Sequence, residues 1–169
     1  MAFDAAHLPG LIYFMLPAYL ANMSPPFLRF WRGWNPPVDH RRFGAHKTVL
    51  GIAVAIAVAV ATTAMQAWLD LPYGPRAGVH WLPAGLAFGI GVAGGDLLKS
   101  YAKRRRRIAP GKPWVPFDQL DFVVGALVLV GPYAGLAPLD VALVLLVSFL
   151  ADLAVNRLSY RLGIKRTPW

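Results

Sequence analysis

The sequence predicts an all-α integral membrane protein with five transmembrane helices, and three observations carry that expectation. Of 169 residues, 57% are hydrophobic before glycine is counted and 15% are charged. A soluble domain has roughly 45–50% apolar residues with glycine included and about 25% charged. Long uncharged stretches separate the charged side chains: 24 residues between Asp4 and Arg29, 22 between Lys47 and Asp70, 19 between Arg76 and Asp96, and 18 between Asp121 and Asp140. A fifth apolar run begins at Leu139 and holds only Asp140 and Asp152 before Arg157. A helix needs about 20 such residues to cross a bilayer core of roughly 30 Å. Finally, 16 of the 17 Lys and Arg residues fall on one side of this plan, with Arg76 alone on the other. A soluble bundle of five such helices would lack polar surface.

The spans are expected near residues 6–24, 47–69, 79–102, 119–137 and 139–160. The first is preceded by Asp4 and by no Lys or Arg, unlike a cleavable signal peptide, so it is expected to remain as a span. Basic residues favour the cytoplasmic side, which predicts an outside N-terminus, a cytoplasmic C-terminus and a cell-membrane location. Two cytoplasmic loops, 25–46 and 103–118, are long enough to carry function. In the first, Pro25-Pro26, Pro36-Pro37, Trp31 and Trp34 predict a rigid, irregular segment anchored at headgroup level.

With no Cys in the chain, thiolate zinc sites, disulfides and a Cys nucleophile are excluded. All eight acidic residues are Asp, and the formal charge is +9. The basic run Lys103–Arg107 lies a few residues from the bilayer, which suits membrane lipid or phosphates and not nucleic acid.

Ionisable residues at membrane depth call for a reason. Asp96, Lys99, Ser100 and Lys103 share one helical face. The glycines before them (Gly85, Gly89, Gly91, Gly94 and Gly95) suit close helix packing, space for a ligand, or both. Asp118 and Asp121 lie at i and i+3 in a first helical turn behind Pro116. One Asp would serve the helix dipole, but two on one face, opposite Asp96 and a basic cluster, suit Mg²⁺, a hard cation that links carboxylates to phosphates. Gly44-Ala45-His46-Lys47-Thr48 opens the second helix, where backbone amides with Lys47 and Thr48 suit a phosphate. Ser148, Asp152 and Asn156 form a polar stripe in the fifth helix, readable equally as an interhelical seam or a substrate contact. The four histidines are not spaced as metal ligands.

Gly95-Asp96-x-x-x-Ser100-x-x-Lys103-Arg104, then Pro110-Gly111 and Asp118-x-x-Asp121, resembles the signature of the membrane phosphatidate cytidylyltransferases. The short chain, five spans, Asn22-x-x-Pro25-Pro26 and the Gly44–Thr48 segment resemble their archaeal branch, the CDP-archaeol synthases. Lys112-Pro113-Trp114 stands where the bacterial enzymes have His-Gly-Gly, and Gln119 where they have Arg, so His-dependent chemistry does not transfer.

The resemblance implies CMP transfer from CTP to an isoprenoid ether-lipid glycerol phosphate, with Mg²⁺ as cofactor. It implies Asp96, Asp118 and Asp121 as metal ligands and Lys103 beside them as catalytic. Lys47, Thr48, Lys99, Ser100, Lys103, Arg104, Pro110 and Gly111 are then the residues for CTP and phosphate. A CDP-alcohol phosphotransferase would need more aspartates at wider spacing. A small transporter would place polar groups near mid-membrane and show internal repeats.

Overall fold

A computed structural model describes residues 7–71, 80–109 and 112–163. Five helices follow one another: α1 (His7–Met23), α2 (Val49–Leu69), α3 (Trp81–Arg105), α4 (Phe117–Ala134) and α5 (Pro138–Arg161), with a short 3-10 helix (Pro25–Phe30) after α1. Among the described residues there is no strand, only an isolated bridge between Pro37 and Thr48. Helices α2 to α5 are long and apolar enough to cross a membrane. The shortest, α1, has 17 residues, roughly 25 Å at 1.5 Å per residue.

Each expected span coincides with a helix, and the differences at the ends have local causes. Thr48 caps α2, its hydroxyl accepting from the Gly51 N–H at 3.1 Å, so the helix starts after Lys47. Helix α3 continues through Lys103, Arg104 and Arg105, whose charges suit the negative end of a helix dipole. Helix α4 closes three residues early on Gly135, which takes a left-handed conformation with φ 59°.

Helix α3 is central and packs most extensively against α4 and α2; α1 covers α2 and α3, and α5 lies outermost against α4 and α1. Glycines set these distances. Gly85 and Gly89 lie against Val60, Thr63 and Ile56 of α2, while Gly91 and Gly95 meet Gly125 and the Asp121 carbonyl of α4. A Cβ at Gly95 would overlap that carbonyl. Gly94 has open space beside it, so the glycine stretch serves both close packing and a neighbouring cavity.

Several buried polar groups in the helices find partners within the protein, as a low-dielectric surrounding favours. Thr62 and Thr63 donate to carbonyls of their own helix, and Gln66 donates to the Tyr13 carbonyl at 2.6 Å. The stripe on α5 divides: Ser148 pairs with Tyr19 of α1 at 2.7 Å, whereas Asn156 donates to Asp152 one turn away.

Candidate active site

The C-terminal end of α3, the first turn of α4 and the residues opening α2 converge on one cluster of charges. Asp96 pairs with Lys47 through Oδ2 and with Lys99 through Oδ1, the latter at 3.1 Å. Lys99 Nζ also lies 2.7 Å from Asp121 Oδ2 and 3.7 Å from Asp118 Oδ1. One ammonium therefore gathers all three acids that the sequence singles out. Lys103 Nζ donates to both oxygens of Asp118, at 3.0 and 2.9 Å, and to the Lys112 carbonyl at 2.7 Å.

Asp118 does not cap its own helix. Its Oδ2 reaches back to accept from the Trp114 N–H at 2.6 Å, tying the segment before α4 to Lys103 of α3. The loop before α2 is folded by its own backbone: Val38 N–H donates to the Lys47 carbonyl at 2.8 Å and Val49 N–H to the Pro36 carbonyl at 3.0 Å, which brings Lys47 to Asp96. Within that loop Asp39 accepts from the backbone N–H of Arg42 and of Arg41, which holds its carboxyl below the usual carboxylate range.

Two cavities flank the cluster and share no lining residue among the described residues. One, of about 480 Å³, is edged with polar groups from Asn22, Arg29, Asn35, His46, Lys47 and Asp96. The other, of about 580 Å³, is an apolar groove between α3 and α4, lined by residues including Gly94, Leu98, Trp114, Phe117 and Val128. Lys99 and Asp121 supply the charges in this groove. Asp96 faces the first cavity and Lys99 the second, so their ion pair stands between the two. Trp114 packs on Phe117 with ring centroids 4.4 Å apart, and the Arg106 guanidinium lies over Trp114 at 5.0 Å.

Asp96, Lys99, Lys103, Asp118 and Asp121 are thus brought together, with Lys47 reaching Asp96 from the segment just before α2. Thr48 lines the polar cavity while capping α2. Ser100 is buried in the helix packing, and Arg104 buries an Nε that has no hydrogen-bond partner among the described residues. Pro110 and Gly111 lie outside the described residues. Arg29 and Asn35 are cavity residues that the sequence does not flag, because they sit in an aperiodic proline-rich loop whose path only the fold reveals, whereas His46 lines the same cavity within the Gly44–Thr48 segment whose sequence suits a phosphate. The three carboxylates offer hard oxygen donors of the kind Mg²⁺ prefers. As the side chains stand, the Lys99 ammonium gathers them, and no group of three His, Asp or Glu among the described residues forms a ready ligand set.

Residues 8–169 match the family described as CarS-like, CDP-archaeol synthase. The CDP-archaeol synthase of Methanospirillum hungatei is 34% identical and covers 92% of this chain and 100% of its own. That of Thermofilum pendens is 35% identical over 92% of this chain and 78% of its own. A solved structure titled as an intramembrane enzyme for archaeal membrane lipids biosynthesis superposes with a TM-score of 0.72. It is 28% identical and covers 86% of this chain and 91% of its own. A multi-helical membrane protein with acids and lysines gathered between a polar and an apolar cavity, matched along nearly its whole length, belongs to the CDP-archaeol synthase family and is a cytidylyltransferase.

Proposed function

We propose that the protein transfers CMP from CTP to 2,3-bis-O-(geranylgeranyl)-sn-glycerol 1-phosphate, giving a CDP-activated ether lipid and pyrophosphate. The observation that carries this reading is the charged cluster lying between the polar cavity and the apolar groove. CTP occupies the polar cavity, with Lys47 and Arg29 facing its phosphates. The lipid lies in the α3–α4 groove with its chains along Leu98, Leu120 and Val128 and its phosphate toward Lys99.

A phosphomonoester loses its second proton near pH 6, so the lipid phosphate is already an anionic nucleophile at neutral pH. Its oxygen forms a bond to the α-phosphorus of CTP as the bond from that phosphorus to the bridging oxygen breaks, and the electron pair leaves with pyrophosphate. No Ser, Cys or His nucleophile is needed, in keeping with a cluster built of Asp and Lys. The task left to the protein is to position two anions and offset their repulsion, the usual content of phosphoryl-transfer catalysis. Asp96, Asp118 and Asp121 are the residues that would hold Mg²⁺, which when bound would supply charge neutralisation to the phosphates. Lys103, steadied by Asp118, and Arg104 face the departing pyrophosphate.

All five helices cross the membrane in this reading, with the N-terminus outside and the C-terminus in the cytoplasm. The chain after α1 leaves the bilayer at Arg29 and Arg32, and the charged cluster then lies at the cytoplasmic boundary, where CTP is available. Purified protein given CTP, Mg²⁺ and the ether-lipid phosphate is expected to release pyrophosphate and to label the lipid from α-labelled CTP. No release with either ether or ester lipid phosphate would reject the reading.

A further inference from the structure

We propose that the Lys99 ammonium is a built-in counter-cation of the acid cluster. It holds Asp96, Asp118 and Asp121 together before a divalent ion arrives, competes with that ion, and is released toward the phosphates when the ion binds. This role rests on the three acids being the metal ligands, and it adds to them a residue that sets the affinity of the site.

Three carboxylates face three ammonium groups, so the cluster is balanced as it stands. The ammonium groups are not equivalent: Lys47 pairs with Asp96 and Lys103 with Asp118, whereas Lys99 reaches all three acids, at 3.1, 3.7 and 2.7 Å. Among the described residues Asp121 has no other cationic partner, although its side chain is only 5% exposed. Its Oδ2 is close to the ammonium but accepts no hydrogen bond of good geometry among the described residues, so the two are held by charge. An unpaired buried carboxylate is strongly unfavourable, and Lys99 removes that penalty in the metal-free protein.

A dication brought among the same acids raises the local charge by two and repels the ammonium. Lys99 springs from α3 beside the open space at Gly94 and borders the groove assigned to the lipid. Its long unbranched stem allows the charge to turn into that groove without moving the helix. The same cation thus first balances the acids and then meets an incoming phosphate.

The test uses detergent-solubilised full-length protein and Mn²⁺ alone, without nucleotide or lipid, at pH 8. Free Mn²⁺ measured by electron paramagnetic resonance should show Lys99→Met binding the ion at least ten-fold more tightly than the parent protein. The metal-free Tm of the variant should fall, and its rise on adding Mn²⁺ should be larger. Lys99→Arg, which keeps the charge, should restore the weaker affinity. In the unmodified protein, acetic anhydride pulse labelling read by mass spectrometry should acylate Lys99 several-fold faster once Mn²⁺ is bound, a readout that does not depend on any variant folding. Unchanged or weaker Mn²⁺ affinity in Lys99→Met, or Lys99 labelling indifferent to Mn²⁺, overturns the role of Lys99 while leaving the metal assignment standing. No Mn²⁺ binding by any of the proteins overturns both.

Discussion

Asp118 and Asp121, one helical turn apart, do different work. Asp118 is a structural clasp as well as a charge: it accepts from the Trp114 N–H and from Lys103, so it fixes the segment leading into α4. Asp121 is more deeply buried, and Lys99 alone balances it among the described residues. Replacing either with Asn keeps the shape and removes the charge. Asp121→Asn is expected to lower CMP transfer by roughly a hundred-fold or more, since the proposed metal role would make several kcal/mol of phosphate-charge stabilisation depend on it. Its fold should survive, because the buried carboxylate no longer needs a partner. Asp118→Asn should lose activity to a similar degree and also lower the Tm. Arg106→Ala is the contrast: it gives up a stacking contact on Trp114, worth about 0.5–1 kcal/mol, and should leave turnover within a few-fold. Radiolabel transfer from CTP to lipid, with a melting curve for each variant, separates these outcomes.

Among the helices, the pairing of α3 with α4 controls the site. Gly91 and Gly95 meet Gly125 and the Asp121 carbonyl at a distance that admits no side chain, and this closeness puts Lys99 within reach of Asp121. Gly95→Ala should force the helices apart, cost about 1–3 kcal/mol in stability and reduce transfer because the cluster opens. Gly94→Leu should behave differently, since Gly94 borders the groove and has no neighbour within 4 Å. It should raise the KM for lipid phosphate, leave the KM for CTP near the parent value and spare the Tm. Equal effects of both variants on both substrates would remove the assignment of the groove. The helices themselves are legible in sequence because a charge-free interval of about 20 residues has the length that a bilayer core demands of a helix. So is the shared face of Asp118 and Asp121, which helical spacing dictates. Which lysine meets which acid is not legible, because it depends on how closely two helices approach. Asp96 turns to Lys47, 49 positions away, as well as to its neighbour Lys99, and leaves Lys103 to Asp118. The polar cavity is equally hidden, as its walls come from a loop whose prolines erase any period.

Taken whole, the molecule separates its charges along the membrane normal: the basic residues border the helix ends that carry the cluster, and the helix interiors are apolar. The orientation proposed from that asymmetry is directly measurable. Because the chain has no Cys, a single Arg106→Cys variant gives an unambiguous label site. A membrane-impermeant thiol reagent should modify it in inside-out vesicles and leave it untouched in intact cells. Labelling from outside would invert the topology and remove CTP from the reach of the site. Helix α5 contributes few buried residues, meets α1 through Tyr19 and Ser148, and supplies none of the described residues lining the two cavities, so it braces the bundle from outside. The wall that does matter is the Asp96–Lys99 pair. Because no described residue lining one compartment also lines the other, the proposed reading gives a water-soluble guest and an oily guest separate doors. Neither has to wait for the other to be seated, and the joined product straddles a threshold that neither starting material had to cross.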